Sequence, residues 1–216
     1  MKIGVLGTAM VGKTIGQKLV EIGHEVCMGS RSADNPEASG WAADAGPGAS
    51  HGTFADAAAF GEVVFNCTGG MVSLDALAAA GEDNLAGKVV VDVSNALDFS
   101  QGTPPTLAVC NTDSVGEQIQ RRFPLARVVK SLNTMNCTVM VDPGLVPGRH
   151  NVFLSGDDAD AKSVVADILR SFGWSAEGII DLGGIDTARG AEMYVALWLR
   201  LYPTAGGAPF NIALVH

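Results

Sequence analysis

Lys2-Ile3-Gly4-Val5-Leu6-Gly7-Thr8-Ala9-Met10-Val11-Gly12-Lys13-Thr14 decides the fold. Lys2 to Leu6 reads as a short buried strand, and Gly12 to Ile22 carries Ile15, Leu19 and Ile22 on one helical face. The turn between them satisfies two patterns at once. As G-x-[G/A]-x-x-G it is a dinucleotide loop with Ala9 at the second glycine position; as G-x-x-x-x-G-K-[ST] it is the phosphate loop of ATPases. Val89-Val90-Val91-Asp92 even imitates the apolar strand and aspartate that accompany the latter. The loop interior separates the two readings. A phosphate nest is built from backbone conformations that favour glycine and that bulky or β-branched residues adopt poorly, yet Met10 and Val11 stand here. In a dinucleotide turn both already belong to the first helical turn. Gly12 then lets the helix approach the strand, Gly16 is expected to extend that contact by one turn, and Lys13 and Thr14 become helix-surface residues. Free N–H groups at the helix start suit a pyrophosphate.

Outward from this unit, strand and helix patterns alternate. Glu25 to Gly29, Glu62 to Cys67, Lys88 to Ser94 and Arg127 to Ser131 read as strands, two of them near-continuous apolar runs that suit parallel strands covered on both faces. Leu74 to Ala80 and Ser114 to Phe123 read as helices, and Ser32 to Ser50, rich in Gly, Ala, Ser and Pro, holds one short helix. The order predicts an α/β, Rossmann-type doubly wound parallel sheet over residues 1–148. After the Pro143-Gly144 to Pro147-Gly148 stretch, residues 149–216 are expected to form a small C-terminal α/β lobe: a strand Asn151 to Ser155, an amphipathic helix Asp157 to Phe172 with Val164, Val165, Ile168, Leu169 and Phe172 inward, a strand Ile179 to Leu182, and a helix Asp186 to Tyr202. That last helix is apolar on nearly every face, through Tyr194, Val195, Leu197, Trp198, Leu199 and Leu201, as expected for deep burial or a subunit interface.

Composition narrows the function. Apolar residues make up 47% and charged residues 17% of the chain, which argues against disorder. A net charge of -9 without a basic cluster argues against nucleic acid as a partner. No signal sequence or bilayer-spanning run is evident, so a cytoplasmic location is expected. Cys27, Cys67, Cys110 and Cys137 form no C-x-x-C pair and read as buried reduced thiols.

The second strand selects the nucleotide. Its end, Met28-Gly29-Ser30-Arg31-Ser32, lies about 20 residues beyond the loop, where an acid would grip the ribose of NAD. Here a cation stands between two hydroxyls, which suits the 2′-phosphate of NADP.

These features, with Ser131-Leu132-Asn133-Thr134-Met135, Ser155-Gly156-Asp157-Asp158 and Asp181-Leu182-Gly183 before Arg189-Gly190-Ala191-Glu192, resemble the NADP:coenzyme F-420 oxidoreductase family along nearly the whole chain. The resemblance implies hydride exchange between NADP(H) and a deazaflavin coenzyme F-420, stacked rings across the strand ends, and a C-terminal lobe that closes the cleft and forms a homodimer. The chain departs from the family at Ala9, where glycine is usual; the extra methyl group lies where the backbone meets the pyrophosphate.

The expected cofactor contacts are Gly7, Thr8, Ala9, Met10, Val11 and Gly12 on the loop, Ser30, Arg31 and Ser32 on the second strand, and Thr68, Gly69, Gly70, Asn95, Asn133 and Met135 at the other strand ends. Asn133 would bond a ring edge and Met135 offer a polarizable contact; a turn cap and a core residue are the equally good structural alternatives for these two. No catalytic triad, carboxylate pair or metal cluster stands out, and His24, His51, His150 and His216 read as surface or capping residues. Direct hydride transfer needs no such set. An NADPH-dependent reductase of a flavin, an imine or another small acceptor, and a non-catalytic NADPH-sensing protein, remain open beside the deazaflavin enzyme.

Overall fold

The computed structural model describes residues 1–215; His216, read above as a terminal surface residue, lies outside the described residues. In chain order the elements are β1 (Lys2–Leu6), α1 (Met10–Glu21), β2 (Glu25–Ser30), α2 (Pro36–Ala45), β3 (Ala49–Thr53), α3 (Phe54–Phe60), β4 (Val63–Asn66), α4 (Ser73–Ala80), α5 (Glu82–Leu85), β5 (Val89–Asp92), β6 (Leu97–Asp98), β7 (Thr106–Leu107), α6 (Val115–Arg122), β8 (Arg127–Ser131), α7 (Cys137–Val141), β9 (Val152–Ser155), α8 (Ala159–Ser171), β10 (Ile179–Gly183) and α9 (Ala188–Thr204). The main sheet has the order β10-β9-β8-β5-β4-β1-β2-β3. Its first six strands in sequence, β3-β2-β1-β4-β5-β8, run parallel and reverse direction of growth at β1, the switch point of a doubly wound fold.

The apolar strands alternate between two cores. Ile3, Val5, Val63, Phe65, Val89 and Val91 face α1, α2, α7 and α8, whereas Leu6, Val64, Val90 and Val128 face α3, α4, α5, α6 and the start of α9. Burial on both faces is why β4 and β5 read as uninterrupted Val runs. Residues beyond 148 continue this sheet: β9 joins β8 antiparallel and β10 joins β9 parallel. The expected boundary thus falls in a turn across which hydrogen-bonded pairing continues, and β8–β9 is the antiparallel exception in an otherwise parallel sheet.

Several elements differ from the sequence reading. β3 and α3 were not expected; the strand Ala-Ser-His-Gly-Thr has no apolar alternation because it is the sheet edge, and α3 is set by a capping box between Thr53 and Asp56. The β6–β7 hairpin and the five-residue α7 are too short to leave a periodic signal. Gly16 does not extend the contact with β1: a side chain there would meet the Trp41 ring of α2, 2.8 Å away. Of the four cysteines, Cys110 is exposed, in the loop that leads to α6.

Candidate functional site at the strand ends

The loop after β1 turns sharply at Gly7, whose φ of 116° is open to glycine, and its N–H donates to the Gly29 carbonyl at 3.0 Å. Helix α1 then begins at Met10, as the dinucleotide reading requires. Ala9 is its N-cap, with extended backbone and no side-chain cap, so the first-turn amides are left for an anion. Because φ at Ala9 is −82°, its position does not need glycine. Gly12 does: a Cβ there would lie 2.0 Å from the Gly7 carbonyl oxygen. Thr8, Ala9, Met10 and Val11 all lie at least partly exposed around this helix start. Lys13 points away from the loop and pairs with Glu37 of α2, which removes the phosphate-loop role.

At the end of β2 the Ser30 hydroxyl is buried and donates to the Ser32 carbonyl at 2.5 Å, shaping the turn. Arg31 is exposed, and its guanidinium makes no ion pair among the described residues. A free cation about one strand away from the helix start is what a ribose 2′-phosphate needs.

Thr68, Gly69 and Gly70 follow β4. The Thr68 hydroxyl donates to Asn66 Oδ1 at 2.6 Å. Gly70 is pressed against Asn95, with its N–H on the Asn95 carbonyl at 3.0 Å; a Cβ there would come within 2.5 Å of that residue. Asn95 and Asn133 hold each other: Asn95 Nδ2 donates to the Asn133 carbonyl at 2.8 Å, and Asn133 Nδ2 donates to Asn95 Oδ1 at 3.0 Å and to the Ala191 carbonyl of α9 at 3.1 Å. The Asn133 amide nitrogen is therefore committed inside the protein and is not available to donate to a ring edge. Met135 is 6% exposed and packs in the α1-side core, so its thioether belongs to the core rather than to the cleft. The structural alternative is the observed one for Met135. His150 is also a structural residue, its two ring nitrogens meeting the Pro143 carbonyl and Asn211 Nδ2.

Beneath these strand ends lies a buried polar row that sequence reasoning missed. Asn66, Asp92 and Lys130 are register partners on β4, β5 and β8, on the face toward α6 and α9. Asn66 Nδ2 donates to Asp92 Oδ1 at 2.8 Å and to the Ser73 hydroxyl at 2.9 Å. Lys130 Nζ contacts Asp92 Oδ2 and Glu192 Oε1, each at 2.8 Å, and the Ser94 carbonyl. Glu192 in turn accepts from the Val115 and Gly116 amides at the start of α6, at 2.8 and 3.0 Å. Asp92, Lys130 and Glu192 are 0%, 1% and 2% exposed. Burial alone would lower the Lys130 pKa, but the two carboxylates outweigh it and hold the ammonium above its ordinary value. The signal was present: in β4, β5 and β8 the apolar run gives way to a polar residue at the same register (Val-Val-Phe-Asn, Val-Val-Val-Asp, Val-Val-Lys).

The residues fit a dinucleotide. The uncapped helix start, the cradle that a side chain at Gly12 would fill, and the unpaired Arg31 account for its phosphates. Two buried hydroxyls, Ser94 Oγ and Thr134 Oγ1, lack a protein partner next to the Asn95–Asn133 pair, as groups awaiting a polar ligand would.

Comparisons with known proteins agree. A family profile described as NADP oxidoreductase, coenzyme F420-dependent, matches residues 2–96. A crystal structure from Arthrobacter sp. FB24, described as a candidate F420-dependent NADP-reductase, is 51% identical and superposes with a TM-score of 0.94, covering 100% of each chain. Metalloreductase STEAP3 of Rattus norvegicus is 31% identical over 206 residues, 94% of this chain; the chain spans only 37% of that curated relative. A reductive aminase from Aspergillus terreus, at 19% identity and a TM-score of 0.67 over 95% of this chain and 62% of its own, shares the fold. With loop, sheet order and full-length similarity in agreement, this chain belongs to the family of coenzyme F420-dependent NADP oxidoreductases.

Proposed function

We propose that the protein transfers hydride between NADP(H) and a deazaflavin of the coenzyme F-420 type. The observation that carries this reading is the chemistry of the site floor. Its ionisable groups, Asp92, Lys130 and Glu192, are closed from solvent and engaged with one another, so the strand ends present neutral backbone, amide and hydroxyl groups rather than a general acid or base. Hydride passage between two rings asks for close, water-free positioning and no protein proton donor at the reacting carbon. Bound NADPH supplies the hydride, and the deazaflavin accepts it.

The protein's own residues divide the work. The α1 amides and Gly7 to Gly12 hold the pyrophosphate, and Thr68 to Gly70 leave room for a planar ring. Arg31 and Ser32 hold the 2′-phosphate, on a turn that the buried Ser30 hydroxyl shapes without contacting the phosphate itself. Met71 and Phe99, 57% and 60% exposed on the turn after β4 and on the β6–β7 hairpin, add apolar surface near the same strand ends. The resemblance to the family and the outer face of α9 support a homodimer.

The test is NADPH oxidation against a panel of deazaflavin, flavin and small imine or carbonyl acceptors, with NADPH deuterated on its reactive face. Turnover with the deazaflavin, and label in the reduced acceptor without loss to water, is the expected result. Turnover confined to a flavin or imine would replace the acceptor. Binding of NADPH without turnover on any acceptor would make the protein a sensor.

A further inference from the structure

The buried row leads from the site floor to the C-terminal helix by two routes. One runs from Glu192 on α9 to Lys130 Nζ and on to the Ser94 carbonyl, the residue before Asn95. The other runs from the Ala191 carbonyl, the neighbouring residue on α9, through Asn133 Nδ2 to Asn95 Oδ1. Asn95 then receives the Gly70 amide on its carbonyl. Glu192 also holds the first two amides of α6, so undocking α9 would leave those two amides unpaired and the buried Lys130 ammonium with Asp92 and the Ser94 carbonyl but without its second carboxylate. Such a network is strongly all-or-none, because a partly satisfied buried charge is worse than a fully satisfied or absent one.

We propose, on the basis of the NADP(H) reading above, that Lys130 is a positioning residue that couples the docking of α9 to the shape of the coenzyme site floor. With Lys130 held between Asp92 and Glu192, the Ser94 carbonyl is fixed, the Asn95–Asn133 pair is set, and the Gly70 turn is pressed against it. With α9 displaced, Lys130 and Asn133, the two side chains that anchor the Ser94–Asn95 turn, each lose the α9 partner that holds them in place, and the floor loosens. Linkage makes the coupling reciprocal: a ligand that orders the floor stabilises the docked helix.

Amide hydrogen exchange with NADPH as the probe tests this. In the wild-type protein, NADPH should slow exchange across residues 188–195 of α9 as well as at residues 66–70 and 94–97, by about 5-fold or more at the helix. Glu192→Gln keeps the side-chain shape but removes its charge; NADPH should still protect the loop after β1, while protection of 188–195 falls below about 2-fold. Arg189→Gln, which removes only the surface-side clamp between Arg189 and Glu117, should keep the α9 response to NADPH. Equal protection of α9 in the wild type and in Glu192→Gln would overturn the coupling. Should Glu192→Gln not fold, the wild-type experiment decides alone: protection at the strand ends with no change at 188–195 overturns the proposal. Failure of NADPH to bind at all would overturn the coenzyme reading, and this proposal with it.

Discussion

The residues proposed to choose the nucleotide stand out in the sequence because their chemistry is local. Ser30-Arg31-Ser32 stands at a fixed distance along the chain from the loop, and the Arg31 guanidinium is exposed and makes no ion pair among the described residues. Loss of one charge-assisted partner costs roughly 1.5–3 kcal/mol, on the order of 10- to 150-fold in affinity. Arg31→Ala should weaken NADPH binding by about that factor and scarcely alter NADH binding, measured by calorimetry; equal losses for both would remove Arg31 from the site. Lys13, by contrast, is paired with Glu37 on the surface, so Lys13→Ala should leave NADPH affinity within a few-fold and reveal no ATP hydrolysis. Asp92 was legible as a residue but not as a partner. Its role depends on Lys130, 38 positions away, and on Glu192 at the far end of the chain, and nothing in the local pattern announces such a meeting.

Elements were legible where periodicity had room to repeat. β1, β2, β4, β5, β8, α1, α4 and α8 carry apolar stripes or runs, and α6 a capping Ser114 with Val115 and Ile119 on one face, whereas β3, at the sheet edge, carries none and was missed. The glycines of α1 show the same division. Gly12 was rightly assigned to helix–strand approach, but Gly16 faces Trp41 on a helix whose placement the chain order does not fix. The two sites of the loop should respond oppositely to small changes. Gly12→Ala places a methyl group 2.0 Å from the Gly7 carbonyl oxygen, so α1 must slide off β1. The expected outcome is a loss of about 1–3 kcal/mol in stability, as for overpacking, together with a more than 10-fold loss of NADPH affinity, read by thermal unfolding and calorimetry. Ala9→Gly removes a methyl group from an exposed cap with ordinary extended backbone. It should keep the fold and bind NADPH at least as tightly as wild type; weaker binding would show that the loop has adjusted to the alanine. A Gly12→Ala variant with unchanged binding would contradict the close approach itself.

At the scale of the whole molecule, the sheet order follows from alternation of strands and helices, but the fate of the last third does not. Short strands such as β9 and β10 specify that they pair, not with which edge or in which direction; the antiparallel step at β8–β9 is a tertiary choice. The same limit applies to α9. Its apolar residues at nearly every angle left burial and interface equally open, and the structure divides them. Ala188, Ala191, Glu192 and Val195 face inward, while Met193, Leu197 and Leu201 are exposed along the outer side, Leu197 by 55%. Single exposed apolar residues are ordinary, but a row of them on one helix is surface we expect a second copy to cover. A two-fold pairing would set α9 against its own counterpart, because an isologous contact uses the same patch twice. The expected mass in solution by light scattering is therefore that of two chains. Leu197→Glu combined with Leu201→Glu would bring like charges together across the axis and should give a single-chain mass, with NADPH affinity retained because neither side chain reaches the strand ends. A wild-type protein that remains one chain at micromolar concentration would exclude this face as the dimer contact, and a variant that stays double would move the contact elsewhere on the molecule.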